Sequence, residues 1–309
     1  MLKLFWLPLT AACLFQLQAT FSQTAVRSQI STSPHPAFPY ELDEPDATFE
    51  LPDRLKEVSG LSMTADGQHL AAIDDEKGVI FLLDKNTGAI MQEVNFWEDG
   101  DYEGLEIVGN DAFAVKSSGK LFLVKNFLSE NRETVQLPSC LNKENDVEGL
   151  GFDPLGNRLL VGCKGKGEVG ENGALKRAIY AFSLDKMEML ATPVFMLTLE
   201  NIQAYLDHCQ SNDHKEKLQE YFTPGTPELK FSPSGIAVHP VTGEIYVTSS
   251  TGKMLLVLTQ EGKIVNFEKL KKTIHTQPEG LCFDADGTLF ISNEGKEGVA
   301  RIYKFRYRN

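Results

Sequence analysis

Cysteine, histidine and tryptophan are scarce in this chain: five, six and two among 309 residues. No two cysteines form a Cys-x-x-Cys pair and none sits in a histidine cluster, which leaves zinc and thiol redox chemistry without support. Basic residues are also in deficit, with 30 Lys+Arg against 43 Asp+Glu and a formal net charge of −13. With no basic patch interleaved with aromatics, a nucleic-acid backbone is not an expected partner. The surplus acid is compatible with cation binding, and equally with a charged, solvated surface. A Ser-His-Asp arrangement is missing too. His35, His69, His208, His214, His239 and His275 fall mostly in turns or in a helical stretch, with His69 and His239 read as surface or structural. No catalytic residue is therefore assigned from the sequence.

Long apolar runs are absent beyond the first two dozen residues. The exception, MLKLFWLPLTAACLFQLQATFSQ, carries one charge at Lys3 before an apolar stretch and reads as a signal peptide over 1–22, cleaved after Ser22. Pro8, Gln16 and Gln18 interrupt it and argue against a retained anchor. Cys13 leaves a lipoprotein as a minority alternative, the one route here to membrane association. Residues 23–46, rich in Ser, Thr and Pro, are expected to form a tether. Export permits disulfides, and Cys140, Cys163, Cys209 and Cys282 allow three complete pairings.

What the chain does have is a repeat. SGLSM at Ser59, EGLEI at Glu103, EGLGF at Glu148, SGIAV at Ser234 and EGLCF at Glu279 share one pattern, with glycine-to-glycine steps of 44, 45, 86 and 45 residues. After each glycine come a short strand, a turn such as TADGQ or DPLGN, and further apolar or β-branched runs. Four short strands per unit make a propeller blade, which is buried by its neighbours rather than alone. The last unit stops after three strands, and the run TFELP from Thr48 to Pro52 is expected to supply the fourth. The prediction is an all-β, five-bladed β-propeller over 47–309, closed by an N-terminal strand. The double-length step holds a helical insertion at about 200–223, because ENIQAYLDHCQSNDHKEKLQEY spaces its apolar residues as a helix does. Its mixed-charge part, SNDHKEKLQE, covers the channel mouth, meets a partner, or is simply a solvated helix.

Equivalent positions in a propeller are arranged around one axis. Glu103, Glu148 and Glu279 are thereby expected to converge at one mouth of the channel, and carboxylates brought together raise one another's pKa or share a cation. An all-oxygen donor set selects Ca²⁺ over Zn²⁺. The competing reading makes these glutamates strand-end caps. The glycine after each allows close backbone approach near the axis. Asp101 and Asp146 are read as loop charges. The ends of the second strands bring Asp74, Asp75, Lys116, Ser117, Lys164, Ser249, Asn293 and Glu294 to the same mouth or its rim. DADGT and DPLGN lack the spacing of a calcium loop and are turns.

The pieces LKEVSGLSMTADG, DYEGLEIVG, NDVEGLGFDPLGN, PSGIAVHPVTGEIYV and PEGLCFDADGTLFISNEG resemble the SdiA-regulated (YjiK-like) family over roughly 47–309. That resemblance implies a five-bladed propeller with a calcium site, distantly similar to NHL-repeat propellers, and carries Ca²⁺ onto Glu103, Glu148 and Glu279. Two functions follow as expectations. One is an exported calcium-binding module that presents its mouth to an envelope protein or small ligand, in the periplasm, cell envelope or outside the cell. The other is a calcium-dependent hydrolase of a lactone or ester.

Overall fold

The computed structural model describes residues 38–165, 171–209, 214–296 and 298–308. The expected leader, Cys13, His35 and the tether as far as residue 37 lie outside the described residues.

Five antiparallel sheets follow one another around a ring. The first blade is β2 (Val58–Met63), β3 (His69–Asp74), β4 (Val79–Asp84) and β5 (Ile90–Asn95). The second is β6 (Tyr102–Val108), β7 (Asp111–Lys116), β8 (Leu121–Lys125) and β9 (Glu133–Leu137). The third is β10 (Val147–Asp153), β11 (Arg158–Cys163) and the long β12 (Lys176–Ser183), which pairs with both β13 (Glu188–Met189) and β14 (Phe195–Thr198). The fourth runs β15 (Gly235–Val238), β16 (Ile245–Ser249), β17 (Met254–Leu258), β18 (Ile264–Lys269). The fifth has three C-terminal strands, β19 (Pro278–Phe283), β20 (Leu289–Asn293) and β21 (Arg301–Phe305), and takes its fourth, β1 (Ala47–Glu50), from the start of the domain. Phe49 stands opposite Ile302 and Glu50 opposite Arg301 in that closing pair. The closure expected for Thr48–Pro52 is present: β1 covers the open edge of β21 and ties the start of the domain to its last strand.

The alternation along each strand explains why the ring holds. Each sheet buries both faces, and five separate apolar clusters each straddle one junction between blades. Ile73, Ile80 and Val94 of the first blade, for instance, meet Leu105, Ala112 and Phe122 of the second. Phe49, Ile302 and Phe290 of the fifth meet Leu61, Leu70 and Phe81 of the first. No blade has a private core, so stability is shared around the ring.

The insertion forms two helices, α1 (Leu199–His208) and α2 (Lys215–Tyr221). Thr198 caps α1: its hydroxyl accepts from Asn201 N at 3.1 Å while the Asn201 side chain accepts from Thr198 N at 2.9 Å. Ile202, Leu206, Leu218 and Phe222 pack with Leu197, Phe231 and Phe267, and α1 contacts β14 and β18. The insertion thus wedges between the outer strands of the third and fourth blades, and its apolar faces are not simply solvated. Arg177, 2% exposed, staples its exit segment to β12. Its guanidinium donates to Ala174 O at 3.1 Å, Lys176 O at 2.8 Å, Glu228 Oε1 at 3.0 Å and Leu229 O at 3.3 Å.

Residues just before β1 are built into the fifth blade's junction with the fourth. Tyr40 and Leu42, in the last part of the expected tether, are 4% and 8% exposed. The Tyr40 hydroxyl donates to Gly287 O at 2.6 Å and accepts from His239 Nε2 at 2.9 Å. His275 Nε2 donates to Leu42 O at 3.0 Å.

Candidate axial binding site

Each innermost strand starts at the same face of the ring, paired there with the end of the second strand: Val58 with Asp74, Tyr102 with Lys116, Val147 with Cys163, Pro278 with Asn293. In all four of these blades the register shifts at the motif. The shifts fall between Val58 and Gly60, Tyr102 and Gly104, Val147 and Gly149, and Pro278 and Leu281. Ser59, Glu103, Glu148 and Glu279 therefore occupy β-bulges, where the extra residue leaves the ladder and its side chain is re-aimed. This is the local reason the repeated residue serves the mouth of the ring rather than the sheet.

The glycines that follow let the innermost strands touch. A Cβ on Gly60 would lie 2.5 Å from Leu105 N, on Gly104 2.7 Å from Leu150 Cβ, and on Gly235 2.2 Å from Glu279 O. On Gly280 it would lie 2.6 Å from Leu61 N. With backbones this close, the axis is filled: the cavity lined by Leu61, Leu105, Leu150, Ile236 and Leu281 measures about 10 Å³. That is room for about one water molecule. Whatever binds here binds at the mouth, not in a channel.

At that mouth Glu103, Glu148 and Glu279 come into one electrostatic neighbourhood. Burial first, then the charges of Glu148, Asp101, Glu279 and Asp75, push the Glu103 carboxyl up to about 9. Glu279 is held well above the usual carboxylate range by burial, with Glu148 and Glu294 adding to it. Burial also raises Glu148, but Lys164 opposes it, donating to Glu148 Oε1 at 2.5 Å. Asp75 rises to about 7 through burial and the charges of Glu57, Asp74, Glu294 and Glu76. Its Oδ1 is buried without a hydrogen-bond partner. Glu294 accepts from Gln277 Nε2 at 2.7 Å.

The other residues named from sequence divide in two. Asp74 is buried and accepts from Glu76 N at 3.2 Å. Ser117 donates to the Asp101 carboxylate, and Asp146 gives its carbonyl to Lys164 N at 2.7 Å, so both aspartates organise loops. Lys116 lies over the Tyr102 ring at 4.5 Å, and Ser249 Oγ donates to Thr251 O at 2.6 Å. Asn293, 1% exposed, has neither side-chain polar atom partnered. Sequence reasoning missed Lys253, which lies close enough to Glu279 to feel its charge. It also missed that His239 and His275 are wholly buried.

The donors that converge are hard oxygens, the chemistry that suits Ca²⁺. Among the described residues, however, no three Asp, Glu, His or Cys side chains already surround one point as a metal cage. The mouth matches calcium in donor type, with the unpartnered Asp75 Oδ1 as an acceptor without a donor.

A model of the SdiA-regulated family matches residues 41–166 and 206–305. Among solved structures, the chain is similar to the PQQ-bound aldose sugar dehydrogenase of Streptomyces coelicolor. That pair shows 12% identity and a TM-score of 0.50, covering 85% of this chain and 97% of that one. A luciferin-regenerating enzyme gives 11% identity and 0.48, over 85% and 95%. A gluconolactonase from Xanthomonas campestris gives 12% and 0.49, over 80% and 72%. At these identities the likeness concerns the fold alone. A search of curated proteins gives no match.

Proposed function

The chain belongs to the SdiA-regulated family, and from that premise we propose that it is an exported propeller whose acidic mouth binds a ligand or partner through Ca²⁺. The observation that carries this reading is the bulge-aimed set Glu103, Glu148 and Glu279, contributed by three blades and electrostatically coupled. Glu103 and Glu279 would hold the ion, with Glu148 joining as Lys164 gives way and Asp75 Oδ1 as a further oxygen. A bound cation would supply positive charge where crowded carboxyls otherwise retain protons. Export is the premise that puts millimolar-range calcium within reach of such a site.

Calorimetric titration of Ca²⁺ into the purified chain tests the reading. Binding that weakens at least about tenfold in Glu103→Gln, a loss of about 1.4 kcal/mol, is expected. Unchanged affinity in Glu103→Gln, Glu148→Gln and Glu279→Gln alike would reject it.

Hydrolysis of a lactone or ester is the second reading. Its support is the Glu103 carboxyl, which holds its proton up to about pH 9 and so is a proton donor at neutral pH. The filled axis confines any such substrate to the outer mouth. Turnover of simple lactones and aryl esters that disappears in Glu103→Gln would move this reading ahead of the first.

A further inference from the structure

A second cavity lies away from the axis, on the same face of the ring. It measures about 340 Å³, within the range of small-molecule sites, and sits where the β7–β8 turn meets the connection from β9 to the third blade. Its floor is apolar: Leu137 and Leu141, each 8% exposed. Gly119, at φ +79°, lets the turn lie close against Leu141. A Cβ there would stand 2.7 Å from Leu141 C, and Gly119 N donates to Lys116 O at 2.8 Å.

The rim is built of donors. Ser139 Oγ already accepts from Leu141 N at 3.1 Å, and Asn142 Oδ1 accepts from Glu144 N at 2.9 Å. With those oxygens engaged, the hydroxyl hydrogen of Ser139 and the amide hydrogens of Asn142 remain to be offered. Lys120 and Lys143 add two ammonium groups, and Ser118 and Gln136 complete the polar lining. No Asp or Glu is among the residues described around the cavity, although acidic residues exceed basic ones by 13 in the chain. Neither lysine takes part in an ion pair with another described residue.

We propose that this cavity is a binding site for a small hydroxylated anion, a sugar bearing a carboxylate or phosphate. The two lysines take the anionic group, the Ser, Asn and Gln side chains meet hydroxyl oxygens, and the leucine floor takes a C–H face of the ring. The site is independent of the axial carboxylates.

The test is calorimetric titration of glucuronate, glucose 6-phosphate and glucose into the full chain, its Lys120→Ala/Lys143→Ala variant, and Glu103→Gln. Saturable binding of either anionic sugar is expected, weakened about tenfold or more in the double lysine variant and unchanged in Glu103→Gln. Which anion binds more tightly identifies the acidic group. Binding of glucose as tight as that of the anions, no saturation by either anion, or equal affinity in the lysine variant would overturn the proposal. A Lys143→Glu variant that folds and still binds the anion equally well would do the same.

Discussion

Lys164 donates to the Glu148 carboxylate at 2.5 Å, and this one bond separates Glu148 from its counterpart Glu103. The two glutamates hold the same place in adjacent blades, both in a bulge and both before a close-contact glycine. One has a cation. The other is surrounded by further acids.

Glu103→Gln is therefore expected to stabilise the protein at alkaline pH. The folded-state pKa, about 9, lies above the ordinary 4.5, so the folded state binds the extra proton between those values. Stability falls as pH rises through that window. Allowing for solvent at the mouth, the effect is on the order of 2 kcal/mol. Urea midpoints at about pH 5 and about pH 8 measure it; a variant that tracks the wild type at both would contradict the assignment.

Two buried histidines act in the opposite sense. His239 and His275 are each pushed down to about 4, by burial above all. His239 Nδ1 accepts from Val241 N at 3.2 Å and Thr242 N at 3.1 Å, and His275 Nδ1 is buried without a partner, so neither has room for a second proton. The unfolded chain takes up those protons first, so stability is lost as pH falls from about 6.5 to about 4. Each histidine contributes about 3 kcal/mol to that loss. In His239→Gln the slope of stability against pH over this window should drop by up to about 1.4 kcal/mol per pH unit, the worth of one proton; an unaltered slope would show that the ring is not held neutral.

Gly235→Ala places a methyl group 2.2 Å from the Glu279 carbonyl oxygen, backbone against side chain, where neither strand can retreat without opening the ring. A loss of about 2–3 kcal/mol is expected. Thermal unfolding of Gly235→Ala beside Gly298→Ala, where a Cβ meets nothing within 4 Å, isolates the crowding from the change of residue.

Arg177→Met removes the staple between β12 and the segment leaving the insertion. Ala174, Lys176 and Leu229 each lose a donor to their carbonyls, and the expected cost is about 3 kcal/mol. Faster proteolysis confined to the 199–234 region would accompany it. Protection equal to wild type would mean that the helices are held by their apolar contacts alone.

The glycine repeat made the ring legible because close approach around an axis admits no side chain, and five glycines, with three of their four steps at 44 or 45 residues, record that constraint directly. The fourth strand of the last blade was legible for a related reason: TFELP repeats the pattern of an outer strand with no blade before it. The three glutamates were legible as equivalent positions, but their differing states were not. Lys164 and Glu148 are 16 residues apart, and their bond depends on a side chain reaching across the bulge. Lys253, Arg177 and Tyr40 carry no repeat signature, since each serves one junction only. His239 reads as a turn residue, and only the fold puts Tyr40, 199 positions away, against its ring.

Closure by β1 and β21 also sets an order of events for the growing chain. Phe49 leaves the ribosome well before its partner Ile302. Until then the first blade has no neighbour on one side, and Leu61, Leu70 and Phe81 are exposed. The ring stays unsealed until β21 has been made, and loss of that strand would leave it so.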